Sequence, residues 1–249
     1  MQLTPLTPFL LVFGLLIGFL VNYVADVMPL RRRFVRPLCL QCEAEQPLVN
    51  YFLWPRRCTS CGKRRSGRTW AVELVAVLAT FFLWNHAPDK LGFWAAEVLL
   101  VYFLVVAVID LEHRLILHPI SLAGAVLALA LGIWMNGLVS TLLGGVAGFG
   151  IMFAFYFLGI LFTNLISKRR GGVDAGDALG FGDVNLSGVI GLLLGWPVIM
   201  SGLFVGILLG AVFSFIYILG MLLARRYRVL SAVPYGPFLI AGAILLLYT

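Results

Sequence analysis

Charged residues are scarce in this chain: they make up 12% of its 249 residues, and only eleven of them are acidic. Soluble globular domains carry about 25% charged and about 45–50% apolar residues. Here the apolar share is 61% and the mean hydropathy is +1.02. A soluble core cannot hide that much apolar surface. The composition therefore excludes a soluble protein and predicts an integral membrane protein.

Basic residues are missing ahead of the first apolar run. Met1 to Pro8 contain no Lys or Arg, and a basic cluster follows the run at Phe9 to Met28 instead. A cleaved signal peptide begins with a basic segment and ends at a small-residue cleavage site. The pattern predicts a retained first transmembrane helix over 1–29.

Further apolar runs are long enough to cross a bilayer, and they predict an all-α polytopic protein with about eight transmembrane helices. The predicted spans are 8–29, 70–86, 92–110, 119–135, 137–166, 184–199, 200–224 and 233–248. Glycines four residues apart, such as Gly144 with Gly148 and Gly191 with Gly195, predict close helix packing. No internal repeat stands out.

Positive charge is distributed with a strong bias in this eight-helix arrangement. Of the 18 Lys and Arg residues, all except Lys90 fall in loops on one face. The positive-inside rule makes that face cytoplasmic and places both termini outside. The net charge of +7 therefore marks cytoplasmic loops and does not indicate nucleic acid as a partner.

Cysteine is nearly absent, and its four copies all lie in one polar loop, 30–69. They form two pairs, CLQC (Cys39, Cys42) and CTSC (Cys58, Cys61). Two CxxC pairs at this separation can bind one tetrahedral Zn²⁺, and so small a domain needs a staple to fold. Two disulfides are the alternative, but a cytoplasmic loop lies in a reducing compartment. The pattern favours structural zinc with no open coordination position.

Two carboxylates differ from the rest because they end or begin apolar runs on the same predicted face. Asp110 closes VYFLVVAVID, and Asp183 follows the glycines Gly180 and Gly182 in GFGDVNL. If the two meet, they share a proton, and the pair can perform general acid–base chemistry on a water. An ion- or proton-coupled transporter is the main alternative, since it also uses buried carboxylates. Asp26 and Glu73 lie beside the Arg-rich loop, where ion pairing or contact with lipid headgroups is expected.

Several ordered segments of the chain resemble the type IV prepilin peptidase family of GxGD intramembrane aspartic proteases. The segments are GFLVNYVADVMP (18–29), the double CxxC loop, RTWAVELVAV (68–77), AVIDLEHRLI (107–116) with GFGDVNL (180–186), and VPYGPFLIAGA (233–243). The resemblance covers nearly the whole chain. Asn185 stands where the family often has Lys.

The resemblance implies an enzyme that removes the basic leader of type IV prepilins and pseudopilins. Cleavage then follows a glycine at the cytoplasmic face, just before the hydrophobic helix of the substrate. Asp110 and Asp183 would be the catalytic aspartates, supported by Gly180 and Gly182, with no metal in the peptidase step. The peptidase domain would be the seven-helix region 70–249, in a bacterial cytoplasmic (inner) membrane.

The resemblance also implies N-methylation of the new terminus with S-adenosylmethionine. Asn22 and Glu73 are the candidate contacts for methyl transfer or substrate. The sequence contains no soluble methyltransferase fold, so this activity would use the cytoplasmic loops near the zinc domain. A third hypothesis is a non-enzymatic assembly factor whose cysteine loop docks a cytoplasmic partner.

Overall fold

A computed structural model describes residues 6–53, 55–169, 180–223 and 234–248, with the side chains of 164–169 left out. Among these residues the chain forms nine helices and two isolated β-bridges. The helices are α1 Thr7–Arg31, α2 Leu48–Phe52, α3 Gly67–Asn85, α4 Gly92–His113, α5 His118–Asn136, α6 Leu138–Arg169, α7 Phe181–Leu194, α8 Val198–Leu223 and α9 Gly236–Leu247.

The predicted all-α membrane fold is confirmed. Eight of the helices are apolar, and six of them are long enough to cross a membrane: α1, α3, α4, α5, α6 and α8. The other two, α7 and α9, are shorter, with 14 and 12 residues. Helix α2 was not predicted, because a five-residue helix in a polar loop leaves no periodic signal.

The chain forms two compact units, Met1–Ile109 and Asp110–Thr249. In the first unit α1 packs against α3. A Cβ added at Gly18 would lie 2.8 Å from the Cα of Glu73, so only glycine allows this approach. Most of α4 belongs to the first unit, and its last turn begins the second. The division into 1–29, 30–69 and 70–249 stays a prediction.

Helix α7 is the central helix of the second unit, packed by α5, α6, α8 and α9. Its contact with α6 depends on glycine, as predicted. A Cβ added at Gly144 would lie 2.3 Å from the carbonyl oxygen of Gly191. Side chains are therefore excluded from both positions, and the two backbones meet directly.

The short length of α7 determines where its first turn lies. Fourteen residues extend about 21 Å, less than the roughly 30 Å hydrocarbon core of a bilayer. The carboxyl end of α7 is fixed at the α5–α6 connection, where Asn136 Nδ2 donates to the Leu193 carbonyl at 2.9 Å. The amino end, which carries Asp183, is the end of this short helix that lies away from the α5–α6 connection.

Candidate active site

Asp183 lies in the first turn of α7 and is only 8% exposed. The extended backbone of Gly180 starts the helix, and the Asp183 N–H donates to the Gly180 carbonyl at 3.0 Å. The Oδ1 atom of Asp183 has no hydrogen-bond partner within the described part of the chain. A buried carboxylate oxygen without a partner is costly, so this atom is a candidate for contact with water or substrate.

Asp110 lies in the last turn of α4, 5% exposed. Its Oδ2 accepts a hydrogen bond from the backbone N–H of Gly236, the first residue of α9, at 3.1 Å. A Cβ added at Gly236 would lie 2.7 Å from that oxygen. Glycine at 236 is therefore what allows the backbone to reach the carboxylate.

The two carboxylates are close enough to interact electrostatically, and both belong to the second unit. Among the described residues, no salt bridge involves either of them. Two like charges at close range cannot both ionise easily. This is the arrangement that lets one carboxylate accept a proton while the other donates one.

The glycines of the GFGD segment have different surroundings. A Cβ added at Gly182 would lie 2.8 Å from the Cβ of Ile116, in the connection after α4. Gly182 therefore lets that connection pack against the start of α7. A Cβ at Gly180 would make only an ordinary contact, 3.5 Å from Asp183 Oδ2. Gly180 is exposed beside the carboxylate, so of the two glycines it is the one with open space next to Asp183.

Two residues near the pair were not identified from the sequence. Besides Gly236, Tyr235 is half-buried and close enough to Asp183 to interact with it electrostatically. Both belong to the YGP segment that begins α9. The Tyr-Gly pair directly before an apolar helix could have drawn attention to these residues. Nothing in the sequence, however, indicates that they lie near Asp110 and Asp183, which are distant along the chain.

A second group of buried carboxylates, Asp26 and Glu73, lies in the first unit, and each of the two has a cation partner. Glu97, also buried in that unit, accepts a hydrogen bond from the Thr80 hydroxyl at 3.4 Å and forms no salt bridge among the described residues. Asp26 pairs with Arg65, N···O 2.6 Å, and with Arg68, and it also accepts a hydrogen bond from the Tyr51 hydroxyl. Glu73 pairs with Arg56 at 2.9 Å. The expected ion pairing of Asp26 and Glu73 is therefore confirmed.

Tyr51 is the neutral member of this group. Burial, together with the negative charge of Asp26, raises the pKa of the Tyr51 hydroxyl well above its ordinary value. The hydroxyl therefore stays protonated and donates to Asp26. The buried Asp26 carboxylate therefore has a hydroxyl donor in addition to its two guanidinium partners.

Asn22 and Glu73, the candidate methyl-transfer contacts, are both buried in the first unit. Asn22 Nδ2 donates to the Thr69 carbonyl at 3.1 Å, while its Oδ1 has no partner among the described residues. Glu73 is occupied by Arg56, whose guanidinium also stacks over the Trp70 ring at 4.1 Å. Of the two, Asn22 is the residue with a polar atom that lacks a described partner.

The four cysteines meet, as the spacing predicted. The Sγ atoms of Cys39 and Cys61 are 3.7 Å apart, those of Cys42 and Cys58 are 3.6 Å apart, and all four lie within 4.8 Å of one another. Tetrahedral zinc with Zn–S of about 2.3 Å requires S···S of roughly 3.8 Å. A disulfide requires about 2.05 Å, and the four thiols are free. The cluster could therefore hold a metal ion.

The two CxxC segments are copies of one structural unit, displaced by 19 residues. The Cys39 N–H donates to the Ala44 carbonyl, and the Cys58 N–H donates to the Lys63 carbonyl. The residue after each second cysteine has positive φ, and each segment closes with a β-bridge. A hydrogen bond from the Cys61 N–H lowers the pKa of the Cys58 thiol to about 6, which favours the thiolate that binds metal.

Comparison with known proteins identifies the family. Residues 97–215 match the model of the type IV leader peptidase family. The chain is 30% identical to a prepilin leader peptidase/N-methyltransferase of Bacillus subtilis (strain 168), over 95% of this chain and 91% of that protein. A protein of the same name from Pectobacterium carotovorum subsp. carotovorum is 25% identical over 94% and 89%. No solved structure matches.

A third relative of that name, from Aeromonas salmonicida (strain A449), is 28% identical over 81% of this chain, which spans 65% of its length. These names give the transporter alternative no support. The match extends over nearly the whole chain in the Bacillus protein. The chain belongs to the type IV leader peptidase family.

Proposed function

We propose that Asp110 and Asp183 form the catalytic pair of a membrane-embedded aspartic endopeptidase. Its substrates are type IV prepilin-like proteins, from which it removes a basic leader after a glycine at the cytoplasmic membrane face. The substrate class follows from the names of the relatives. The observation that supports the chemistry is a pair of buried, interacting carboxylates without a salt bridge in the described part of the chain.

The two carboxylates of the pair have different hydrogen-bond environments. Oδ2 of Asp110 is held by the Gly236 N–H, while Oδ1 of Asp183 is free among the described residues. The ionised carboxylate takes a proton from water, whose oxygen attacks the scissile carbonyl carbon. The protonated carboxyl gives its proton to the carbonyl oxygen, which forms a tetrahedral diol. The carboxyl that took the proton from water then gives it to the nitrogen of the leaving amine as the C–N bond breaks, and a hydroxyl proton of the diol returns to the other carboxylate.

The test is cleavage of a purified prepilin, read by mass spectrometry of the new N-terminus. We expect Asp110→Asn and Asp183→Asn each to abolish cleavage while the protein remains folded and inserted. Asp89→Asn is the matched control, since it removes an exposed carboxylate. Full cleavage by either of these two variants would refute the catalytic pair Asp110 and Asp183, which we call the dyad. It would favour an assembly factor that acts through its cysteine loop.

Zinc is the metal that the cysteine site fits best, as a structural ion that joins the two CxxC segments. Its role would be to fold the 30–69 loop, because all four ligand positions are cysteines and no position is left for water. We expect one zinc per chain by elemental analysis, and its loss with Cys39→Ser together with Cys42→Ser. Unchanged metal content in that variant would contradict the assignment.

S-adenosylmethionine would bind in the first unit. A cavity of about 320 Å³ lies there between the cysteine loop and the start of α3, lined by Gln46, Lys63, Arg64 and Thr69. Gln46 Oε1 is buried without a described partner, and Asn22 Oδ1 is free beside Thr69. Such groups suit the adenine amine and the carboxylate of this molecule. It would supply a methyl group for the new N-terminus.

Equilibrium dialysis with labelled S-adenosylmethionine tests this location without relying on turnover. We expect Gln46→Ala to weaken binding at least tenfold, while Glu45→Gln, an exposed neighbour outside the cavity, binds as wild type. Mass spectrometry of the cleaved product reads methylation in the same sample. Equal binding by both variants would place the methyl donor elsewhere.

The apolar helices indicate a multi-pass membrane protein. We place it in the bacterial cytoplasmic membrane with the cysteine loop and the dyad facing the cytoplasm, because the basic loops share that side. A membrane-impermeant thiol reagent on intact cells should label Asp89→Cys and leave the four native cysteines unlabelled. Labelling of the native cysteines in intact cells would invert the orientation.

A further inference from the structure

A groove of about 750 Å³ opens on the surface of the second unit, between α5 and α6, with α7 as its floor. Its walls are formed by residues 118–125 of α5 and 142–150 of α6, and its floor by residues 185–192 of α7. Leu122 and Val146 on its rim are 66% and 72% exposed. In a membrane these surfaces face lipid, so the groove opens sideways into the bilayer.

The size of the groove suits a helix. Residues 185–192 extend about 10.5 Å along α7, two turns of a helix. The groove is open along its outer side, so it can accept a segment about 10–12 Å wide, the width of a helix with its side chains. Its length therefore matches about two turns of a helix.

Polar groups are confined to one end of the groove. His118, Ser121 and Asn185 line the end near Asp183, while Leu142 and Leu192 line the far end. Ser121 is 8% exposed, and its Oγ has no partner among the described residues. The half-buried Asn185 amide likewise makes no side-chain hydrogen bond within the described ranges. Two polar groups are thus available at the end of the groove that adjoins the candidate dyad.

Glycines line the groove, and one of them, Gly150, faces open space. Gly145, Gly150 and Gly188 line it, and a Cβ added at Gly150 would have no neighbour within 4 Å. Small residues allow a second helix to approach closely in a membrane, where burial of apolar surface gives little driving force between helices. The groove is open, is lined by glycines and adjoins the Ser121 hydroxyl, so it is suited to bind a helix transiently.

We propose that this groove binds the apolar transmembrane segment of the substrate, with its first turn at Ser121 and Asn185. The proposal rests on the proposed function, in which the scissile bond directly precedes an apolar helix. A substrate cut at Asp183 must place the start of that helix within one turn of the dyad. Asn185 is two residues after Asp183, and the polar-to-apolar order along the groove matches the order along such a substrate.

Asn185 and Ser121 then act as positioning residues. The first turn of any helix has backbone N–H groups without intrahelical partners. Inside a bilayer these donors need acceptors, and the Asn185 carbonyl oxygen and the Ser121 hydroxyl supply them. Binding them would fix the substrate register, so that the bond before the helix lies at the dyad.

Gly150→Leu tests the groove because it fills open space without a predicted clash. Gly220→Leu on α8 is the matched control: it also has open space around it and lies outside the groove. Each variant is assayed on a membrane-anchored prepilin and on a soluble peptide that ends soon after the scissile bond. We expect Gly150→Leu to raise KM for the anchored substrate at least tenfold more than for the peptide.

Gly220→Leu should cleave both substrates as wild type does. Equal effects of Gly150→Leu on the two substrates, or equal effects of the two variants, would overturn the proposal. Cleavage of the soluble peptide by wild type measures peptidase activity without the groove. The proposed function is wrong if this cleavage is absent, whereas only the groove proposal is wrong if it is present and Gly150→Leu has no selective effect. Thermal stability in detergent identifies any variant that fails to fold.

A crosslinking measurement keeps the proposal testable even if Gly150→Leu does not fold. A photoreactive amino acid at Val146, on the groove wall, should crosslink to the apolar segment of a bound prepilin with the inactive Asp183→Asn enzyme. The same group at Phe204 on α8, which is 68% exposed and outside the groove, is the control. Crosslinks from Val146 only to lipid, or to a second copy of the chain, would refute the assignment.

Asn185→Leu tests whether Asn185 fixes the position of the substrate helix along the groove. We expect imprecise cleavage, seen by mass spectrometry as products that begin one or more residues from the normal site, and we expect Asn185→Gln to restore the single product. Uniform cleavage at the normal site by Asn185→Leu would contradict the role given to Asn185.

Discussion

Buried carboxylates occur in both units of the molecule, and their partners differ. In the first unit Asp26 and Glu73 pair with three guanidiniums, those of Arg65, Arg68 and Arg56, while the isolated Glu97 accepts a hydrogen bond from the Thr80 hydroxyl. In the second, Asp110 accepts one backbone N–H, and Asp183 has an oxygen with no described partner. A compensated carboxylate supports structure. An uncompensated one is costly, and the second unit differs in bringing two such carboxylates close together, an arrangement typical of sites where a proton is used.

The largest expected effect concerns the uncompensated pair. Asp183→Asn keeps the shape of the side chain and removes its ability to take or give a proton, so cleavage should fall by about 10²–10⁴-fold or more. Stability should stay the same or rise, because a buried group without a cation partner is relieved of its charge. Cleavage kinetics and thermal unfolding of one preparation measure both quantities. If Asp183→Asn were destabilised but still cleaved the substrate, Asp183 would have the structural role that we assign to Asp26.

The opposite outcome is expected for Asp26→Asn, which leaves two guanidiniums at a buried site without their carboxylate. Removing one partner of a buried ion pair destabilises by about 3–5 kcal/mol. We expect a clear fall in the midpoint of unfolding, with cleavage per folded molecule kept within a fewfold of wild type. Glu43→Gln is the control, since the Arg31–Glu43 pair is exposed and should contribute about 0–1 kcal/mol.

Gly236→Ala separates geometry from charge at the dyad. The added Cβ would lie 2.7 Å from Asp110 Oδ2, so the carboxylate or the start of α9 must move. A displacement of about 1 Å at reacting groups can lower the rate about 10²-fold. We expect a loss of that order in kcat with KM nearly unchanged. Gly67→Ala, in open space at the start of α3, is the matched control and should retain wild-type kinetics.

Much of this arrangement could be predicted from the sequence because apolar length and charge bias are local signals. They gave eight apolar helices, and the CxxC spacing gave a four-cysteine cluster that the structure brings together. The start of α7 was predicted at residue 184, yet the helix begins at Phe181, since Gly180 and Gly182 read as a loop. Glycine lowers helix propensity, but packing of Gly182 against Ile116 outweighs it here.

Partners that are distant along the chain could not be predicted. Asp26 meets Arg65 and Arg68 across 39 and 42 residues, and Asp110 meets Gly236 across 126. The basic loop offers ten Lys and Arg residues, and nothing local selects which of them pair. The repeat of the two CxxC segments was missed for a related reason: what they share is backbone hydrogen bonding and φ, with few identical side chains.

The smallest expected effect belongs to Tyr51→Phe, which tests the compensated group through pH. The folded protein raises the pKa of Tyr51, so the group contributes stability below its unfolded pKa of about 10 and loses that contribution as pH rises further. Removing the hydroxyl should destabilise the protein by about 1.5–3 kcal/mol at neutral pH, since its hydrogen bond is to a charged group. The difference in unfolding midpoint between wild type and Tyr51→Phe should then shrink above about pH 10. Tyr23→Phe, at a half-buried tyrosine whose hydroxyl donates only to the Val35 carbonyl, is the control. A constant difference across this range would show that Tyr51 acts by packing and not by donating to Asp26.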